Sequence, residues 1–165
     1  MTPGQIVKML NLQPLPNEGG FYRETHKSHG LINISSLPDG DKSDRAMATC
    51  IYYMITESGY SRLHKLPTEE IWHFYLGDPI EQLQLFPDGS SQIITIGNDL
   101  KKGELPQLVV SKNIWQGSRL KQGGTFALVG ATMSPGFEFE DLIMGNEKLL
   151  KEAYPSIKGL ISKYV

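Results

Sequence analysis

Gly59-Tyr60-Ser61-Arg62-Leu63-His64-Lys65-Leu66-Pro67-Thr68-Glu69-Glu70-Ile71-Trp72-His73-Phe74-Tyr75-Leu76-Gly77 reads as two short strands, Ser61 to Leu66 and Glu70 to Leu76, joined at Pro67-Thr68-Glu69. Strand alternation places His64 and Leu66 on one face of the first, and Glu70, Trp72 and Phe74 on one face of the second. With these faces turned inward, one imidazole and one carboxylate sit among aromatic walls, the usual anatomy of a small-molecule site. His73 has the opposite parity to Glu70 and reads as a structural or interface histidine.

Outward from this pair the chain keeps alternating strands with turns. Phe21 to Thr25 precedes it with Ala46 to Thr56; Ile80 to Phe86, Ser91 to Gly97, Gln107 to Val110, Trp115 to Lys121 and Thr125 to Thr132 follow it. Phe86-Pro87-Asp88-Gly89-Ser90 predicts a hairpin, and Gln122-Gly123-Gly124 predicts another between the last two strands. Ala46 to Thr56 is apolar on both parities, which asks for a second sheet or a partner subunit. Thr2-Pro3-Gly4-Gln5 is a capping box opening a short helix through Leu10. Leu12 to Gly20, rich in proline and glycine, predicts an extended arm, and His26 to Asp44 a polar loop with a tight turn at Pro38-Asp39-Gly40. After Pro135 the apolar positions of the tail predict short helices covering the strands. With no crossover helices between strands, a doubly wound sheet is excluded and a sandwich or jelly roll fits.

The chain has 165 residues, a size suited to a single domain over 1–165, with 16 basic against 18 acidic residues. Net charge of -2 offers no cationic surface for nucleic acid or anionic membrane. One cysteine, Cys50, excludes an internal disulfide framework and any multi-thiolate zinc site, so a reducing, cytoplasmic setting is expected. The opening residues lack a signal-peptide pattern, and the longest apolar run is too short to span a bilayer. No Gly-x-Ser-x-Gly elbow or phosphate-binding glycine loop occurs, and Cys50 falls in an apolar strand as an inert thiol.

The opening stretch resembles the first cupin motif, in which a glycine precedes a His-x-His pair, a glutamate follows, and a glycine closes. His64, Glu70 and Gly77 match the first histidine, the glutamate and the closing glycine, while Leu66 takes the place of the second histidine. Gln116 takes the histidine position of the second motif. The chain more closely resembles a cupin subgroup long labelled a domain of unknown function, DUF985. That match runs through Glu18-Gly19-Gly20-Phe21-Tyr22-Arg23-Glu24-Thr25, Ile51-Tyr52-Tyr53, the Ser61 to Pro79 region, Trp115-Gln116-Gly117 and Ser134-Pro135-Gly136-Phe137-Glu138-Phe139-Glu140-Asp141. The resemblance implies an all-β double-stranded β-helix, the cupin jelly-roll barrel, with short terminal helices and a homodimeric state. It also implies an architecture similar to metal-independent sugar-nucleotide 3,5-epimerases.

A divalent metal needs three or four N/O ligands, and here only His64, Glu70 and a neutral Gln116 amide are on offer; no cofactor is favoured, and a metal-dependent cupin enzyme holding a divalent ion on these three residues stands as the lesser alternative. The acid–base reading makes His64 the base, Glu70 its orienting partner, and Tyr22 or Tyr53 the proton donor. Beside it stands binding without turnover, with His64 and Glu70 as a hydrogen-bonded buried pair. Arg23 is a candidate anchor for an anionic group or else a surface ion-pair partner. Ser61 at the rim, Trp72, Phe74, Gln116 and Asp141 complete the expected ligand contacts, Asp141 because it shares the parity of Phe137 and Phe139. The expected partner is a small organic metabolite, sugar-nucleotide-like or otherwise carbonyl-bearing.

Overall fold

The computed structural model describes residues 1–33 and 44–165; the Pro38-Asp39-Gly40 turn lies outside them. Helix α1 (Pro3–Leu10) opens on the expected capping box, Thr2 Oγ1 accepting from the Gln5 amide and the Gln5 side chain accepting from the Thr2 amide at 2.8 Å. Among the described residues thirteen strands follow: β1 (Gln13–Pro14), β2 (Phe21–Lys27), β3 (Leu31–Ile32), β4 (Arg45–Ala46), β5 (Thr49–Thr56), β6 (Ser61–Lys65), β7 (Glu70–Gly77), β8 (Ile80–Leu85), β9 (Ser91–Ile96), β10 (Gln107–Val110), β11 (Trp115–Leu120), β12 (Phe126–Met133) and β13 (Ile143–Met144). Helices α2 (Glu147–Ala153) and α3 (Lys158–Ile161) close the chain.

Two antiparallel sheets make the barrel, one ordered β1-β2-β5-β12-β7-β10 and the other β13-β6-β11-β8-β9. The core between them joins Tyr53, Ile55, Trp72, Phe74 and Val129 of the first sheet to Ile80, Ile96 and Leu120 of the second. Both sheets are also covered outside. Ile6 and Leu12 bury Met54 and Leu128 at one end of the six-stranded sheet. Leu150, Tyr154, Ile161 and Tyr164 bury Leu63, Leu83 and Leu85 of the other. Such double coverage accounts for the two apolar parities of β5 near Met54.

Phe86 to Ser90 closes the β8–β9 hairpin as expected, with the Phe86 amide donating to Ser90. Gln122-Gly123-Gly124 is a correction. The turn exists, Gly123 adopting φ 89° and the Gly124 amide donating to Lys121. Its flanking strands nevertheless part: β11 pairs β6 and β8, whereas β12 pairs β5 and β7. A two-glycine turn permits a hairpin, but burying the apolar faces of β11 and β12 on facing sheets requires a crossover.

Candidate functional site

Inside one end of the barrel lies a cavity of about 310 Å³. Its walls include Tyr22 and Glu24 of β2, Ile51 and Tyr53 of β5, Glu70 and Trp72 of β7, and Leu66, Phe137 and Phe139 from connecting segments. Glu18 reaches it from the arm. The arm curls back on itself, the Leu15 amide donating to Gly20 and the Gly19 amide to Leu15, and is pinned to β6 by the Arg62 amide on the Glu18 carbonyl. Gly19 at φ 104° fits because a Cβ there would strike the Tyr60 carbonyl oxygen. Glu18 is thereby left 8% exposed, accepting from the Ser61 hydroxyl at 2.8 Å.

A β-bulge shapes the facing strand. β6 places Ser61 and His64 opposite Ser118 and Gln116, spending three residues where β11 spends two. Ser61 and His64 therefore share the interior face despite their opposite parity, and Ser61 lies buried on Glu18 rather than at the rim. His64 is 1% exposed; its Nδ1–H donates to the Arg62 carbonyl at 2.8 Å, and Nδ1 stands 3.9 Å from Glu18 Oε1. Because that carbonyl can only accept, the proton belongs on Nδ1. His64 is not among the cavity walls.

Glu70 is the polar centre of the site, 8% exposed. Its Oε2 accepts from Trp72 Nε1–H at 3.0 Å and from the Gln116 amide at 2.7 Å. Gln116 Oε1 in turn accepts from Trp72 at 3.2 Å and from Gln82 at 3.2 Å; Gln82 also donates to Ser118 and accepts from Gln84, which accepts from Gln92. The indole can only donate and an ionised carboxylate only accept, so these ends fix every amide in one direction, a file of N–H groups aimed at Glu70. Burial raises the Glu70 pKa and the Glu18 charge raises it further, while His64, Gln116 and Trp72 oppose them. Tyr53 donates to the Gly19 carbonyl at 2.9 Å, and burial pushes its phenol pKa well up.

Of the residues expected from the sequence, Tyr22, Tyr53, Glu70 and Trp72 come together on the cavity walls, with His64, Ser61 and Gln116 directly behind them. Three do not join them. Arg23 lies on the outer face of the sheet, its guanidinium 5.3 Å from the Tyr52 ring centroid, because β2 alternation gives the cavity to Tyr22 and Glu24. Phe74 packs into the core between the sheets. Asp141 is held by Arg45 through two hydrogen bonds of 3.1 and 3.0 Å, since a short helical turn at Phe139–Asp141 breaks the alternation after Phe137. His73 faces outward against Thr132 at 3.2 Å, and Cys50, half-buried, lies 3.5 Å from the same hydroxyl.

Glu18, Glu24, Gln82 and Gln84 were missed. Glu18 stands in a turn that reads as connection, and Gln82 and Gln84 occupy the polar parity of β8, which reads as solvent-facing.

The donor set does not fit a divalent ion. Leu66 offers no ligand, Gln116 has both its oxygen and its nitrogen engaged, and no group of three or more His, Cys, Asp or Glu among the described residues has the arrangement to hold one.

A family model described as cupin superfamily (DUF985) matches residues 4–145. A hypothetical protein from Leishmania major is similar throughout: 27% identity, 100% of this chain and 99% of that one covered, TM-score 0.90. A crystal structure of a protein from Shewanella oneidensis matches at 31% identity over 99% of this chain and 97% of that one, with a TM-score of 0.86. An uncharacterized protein of Saccharomyces cerevisiae is 29% identical over 160 residues, 89% of this chain and 79% of the yeast protein.

Proposed function

The chain belongs to the DUF985 family of the cupin superfamily, and on that footing we propose that its barrel binds a small organic metabolite in the Glu70 cavity and moves a proton on it. The observation that carries this reading is Glu70: Oε2 is held by two N–H donors, Oε1 takes no hydrogen bond from the described residues, and the side chain lines the cavity. A carboxylate whose pKa burial has raised is suited to take up and return a proton nearer neutrality than an ordinary one.

The substrate that suits these groups is a carbonyl compound with a C–H beside the carbonyl. Glu70 takes that proton, the bonding pair moves toward the carbonyl oxygen as an enolate, and reprotonation at carbon restores the compound. Return from Glu70 exchanges the hydrogen; return from the phenol of Tyr53 or Tyr22 on another wall inverts the centre, which is isomerase or epimerase chemistry. Tyr53 is suited to donate because burial keeps its phenol protonated. The base is Glu70 rather than His64, which lies behind the wall and lowers the Glu70 pKa through its charge when protonated. At about 310 Å³ the cavity sits at the small end of ligand pockets, roughly 300–1,000 Å³, which favours a small metabolite over a sugar nucleotide. The single cysteine supports a cytoplasmic setting.

The test is deuterium exchange in D2O on the metabolite recovered from the purified protein. Wild type places a deuteron beside the carbonyl, Glu70→Gln does not, and His64→Ala retains slow exchange. Undeuterated ligand from wild type would leave binding without turnover, the second reading, which the engagement of the Tyr53 hydroxyl by Gly19 favours.

A further inference from the structure

Resting on the binding reading, we propose that the ligand is a compact organic cation, an ammonium-bearing metabolite held between aromatic faces and the carboxylates of Glu18 and Glu70. Three carboxylates, Glu18, Glu24 and Glu70, line the cavity, and among the described residues no lysine, arginine or histidine does. Of the basic side chains nearby, Arg23 stacks outside on Tyr52, Arg45 is bound by Asp141 and Glu140, and Lys27 is paired with Glu138 at 2.6 Å; His64 stands closest, with Nδ1 3.9 Å from Glu18 Oε1, but turns its Nδ1–H to the Arg62 carbonyl. An anionic ligand would meet carboxylate repulsion with no fork or ammonium to offset it, and a diphosphate would find none of its usual partners.

The independent sign is the oxygen left over. Glu70 is more than nine-tenths buried, its Oε2 is fully occupied, and Oε1 takes no hydrogen bond from the described residues although the side chain lines the cavity. No buried side-chain polar atom of the described residues lacks a partner, so Oε1 is not sealed away and must find its partner in the cavity. Tyr22, Tyr53, Trp72 and Phe137 line the same cavity, and an aromatic face attracts an ammonium and repels an anion. A positive group there also relieves the mutual repulsion of Glu18 and Glu70.

The experiment is calorimetric titration of the full chain with charged and neutral probes of matched shape. Choline is compared with 3,3-dimethylbutan-1-ol, and ethanolamine with ethylene glycol; acetate and UDP-glucose serve as anions. At least one ammonium probe should bind about tenfold or more tightly than its neutral counterpart, with affinity falling as salt rises, and the anions should not bind. Glu70→Gln and Glu18→Gln should each remove most of that preference, and a misfolded variant is recognised separately by the loss of its cooperative thermal unfolding transition. Equal affinity for charged and neutral probes, or no ammonium probe bound above its neutral counterpart, overturns the cation. Native mass spectrometry of the purified protein separates the two failures. A neutral or anionic metabolite in the cavity sinks the cation and spares the binding reading, whereas an empty protein that takes none of the probes sinks both.

Discussion

Glu70 couples the chemistry of the site to the stability of the fold. Burial is the largest cause of its raised pKa, and the titratable groups around it are Glu18 from the arm, His64 from β6 and Tyr53 from β5. A carboxyl whose pKa is higher folded than unfolded binds its proton more tightly in the native state. Native stability from this group is therefore full below the unfolded value near 4.5 and falls as pH rises toward the folded value. Glu70→Gln keeps an oxygen for Trp72 and Gln116 and carries no charge to desolvate. Its Tm relative to wild type should accordingly climb between pH 4.5 and neutrality and then level, with a carboxyl-carbon NMR titration of Glu70 midpointing above the ordinary glutamate range. A constant Tm difference across that range would remove the buried charge from the account. Glu70 itself was legible because alternation in β7 is regular through Trp72. Glu18 was not, because its burial depends on a turn folding back onto β6, a contact that spacing does not encode.

Strand β8 shows why elements were easier to find than their faces. Gln82-Leu83-Gln84-Leu85 alternates cleanly, and the ordinary inference turns the leucines toward the barrel. The opposite holds: Leu83 and Leu85 lie under α2 and α3, and Gln82 and Gln84 point inside, both buried. Residues 150–164 decide this inversion, far away in sequence. The same distance effect separated β11 from β12 despite a good turn between them. The interior glutamines act as one piece, so their contribution is tested through the middle of the file. Gln82→Leu leaves the Gln84 amide and the Ser118 hydroxyl without their partner, at about 1–3 kcal/mol for each buried group left unpaired. It also frees Gln116 Oε1 from one of its two donors, so the amide held on Glu70 is less firmly oriented. The expected result is a lower urea midpoint together with a Glu70 titration shifted further up; loss of stability with an unmoved titration would reduce the file to packing.

At the scale of the whole molecule, the outer face of the six-stranded sheet remains half covered. Helix α1 seals the end at Met54 and Leu128, and beyond it lies a groove of about 430 Å³ whose lining includes Met9, Tyr52 and Tyr75. Tyr75 is 47% exposed and sets its ring edge-on to Tyr52 at 5.9 Å, with Arg23 over the same ring, while Val109 on the neighbouring edge strand is 50% exposed. Aromatic, methionine and arginine side chains on one face form the composition that interface cores favour. We propose that a second copy of the chain covers this face about a two-fold axis, each sheet presenting the same patch to the other. This completes the two-sided apolar character of β5, half explained by α1. Sedimentation velocity at micromolar concentration should give a dimer, and a monomer there overturns the proposal. Val109→Lys places a charge on a residue already half in solvent, so the isolated fold should lose no more than about 0.5 kcal/mol. The same ammonium in a two-fold interface would meet its symmetry mate or an apolar surface, and the variant should sediment as a folded monomer. A dimer that survives Val109→Lys unchanged is built through another face, and the outer surface of β5 and β7 is then left facing water.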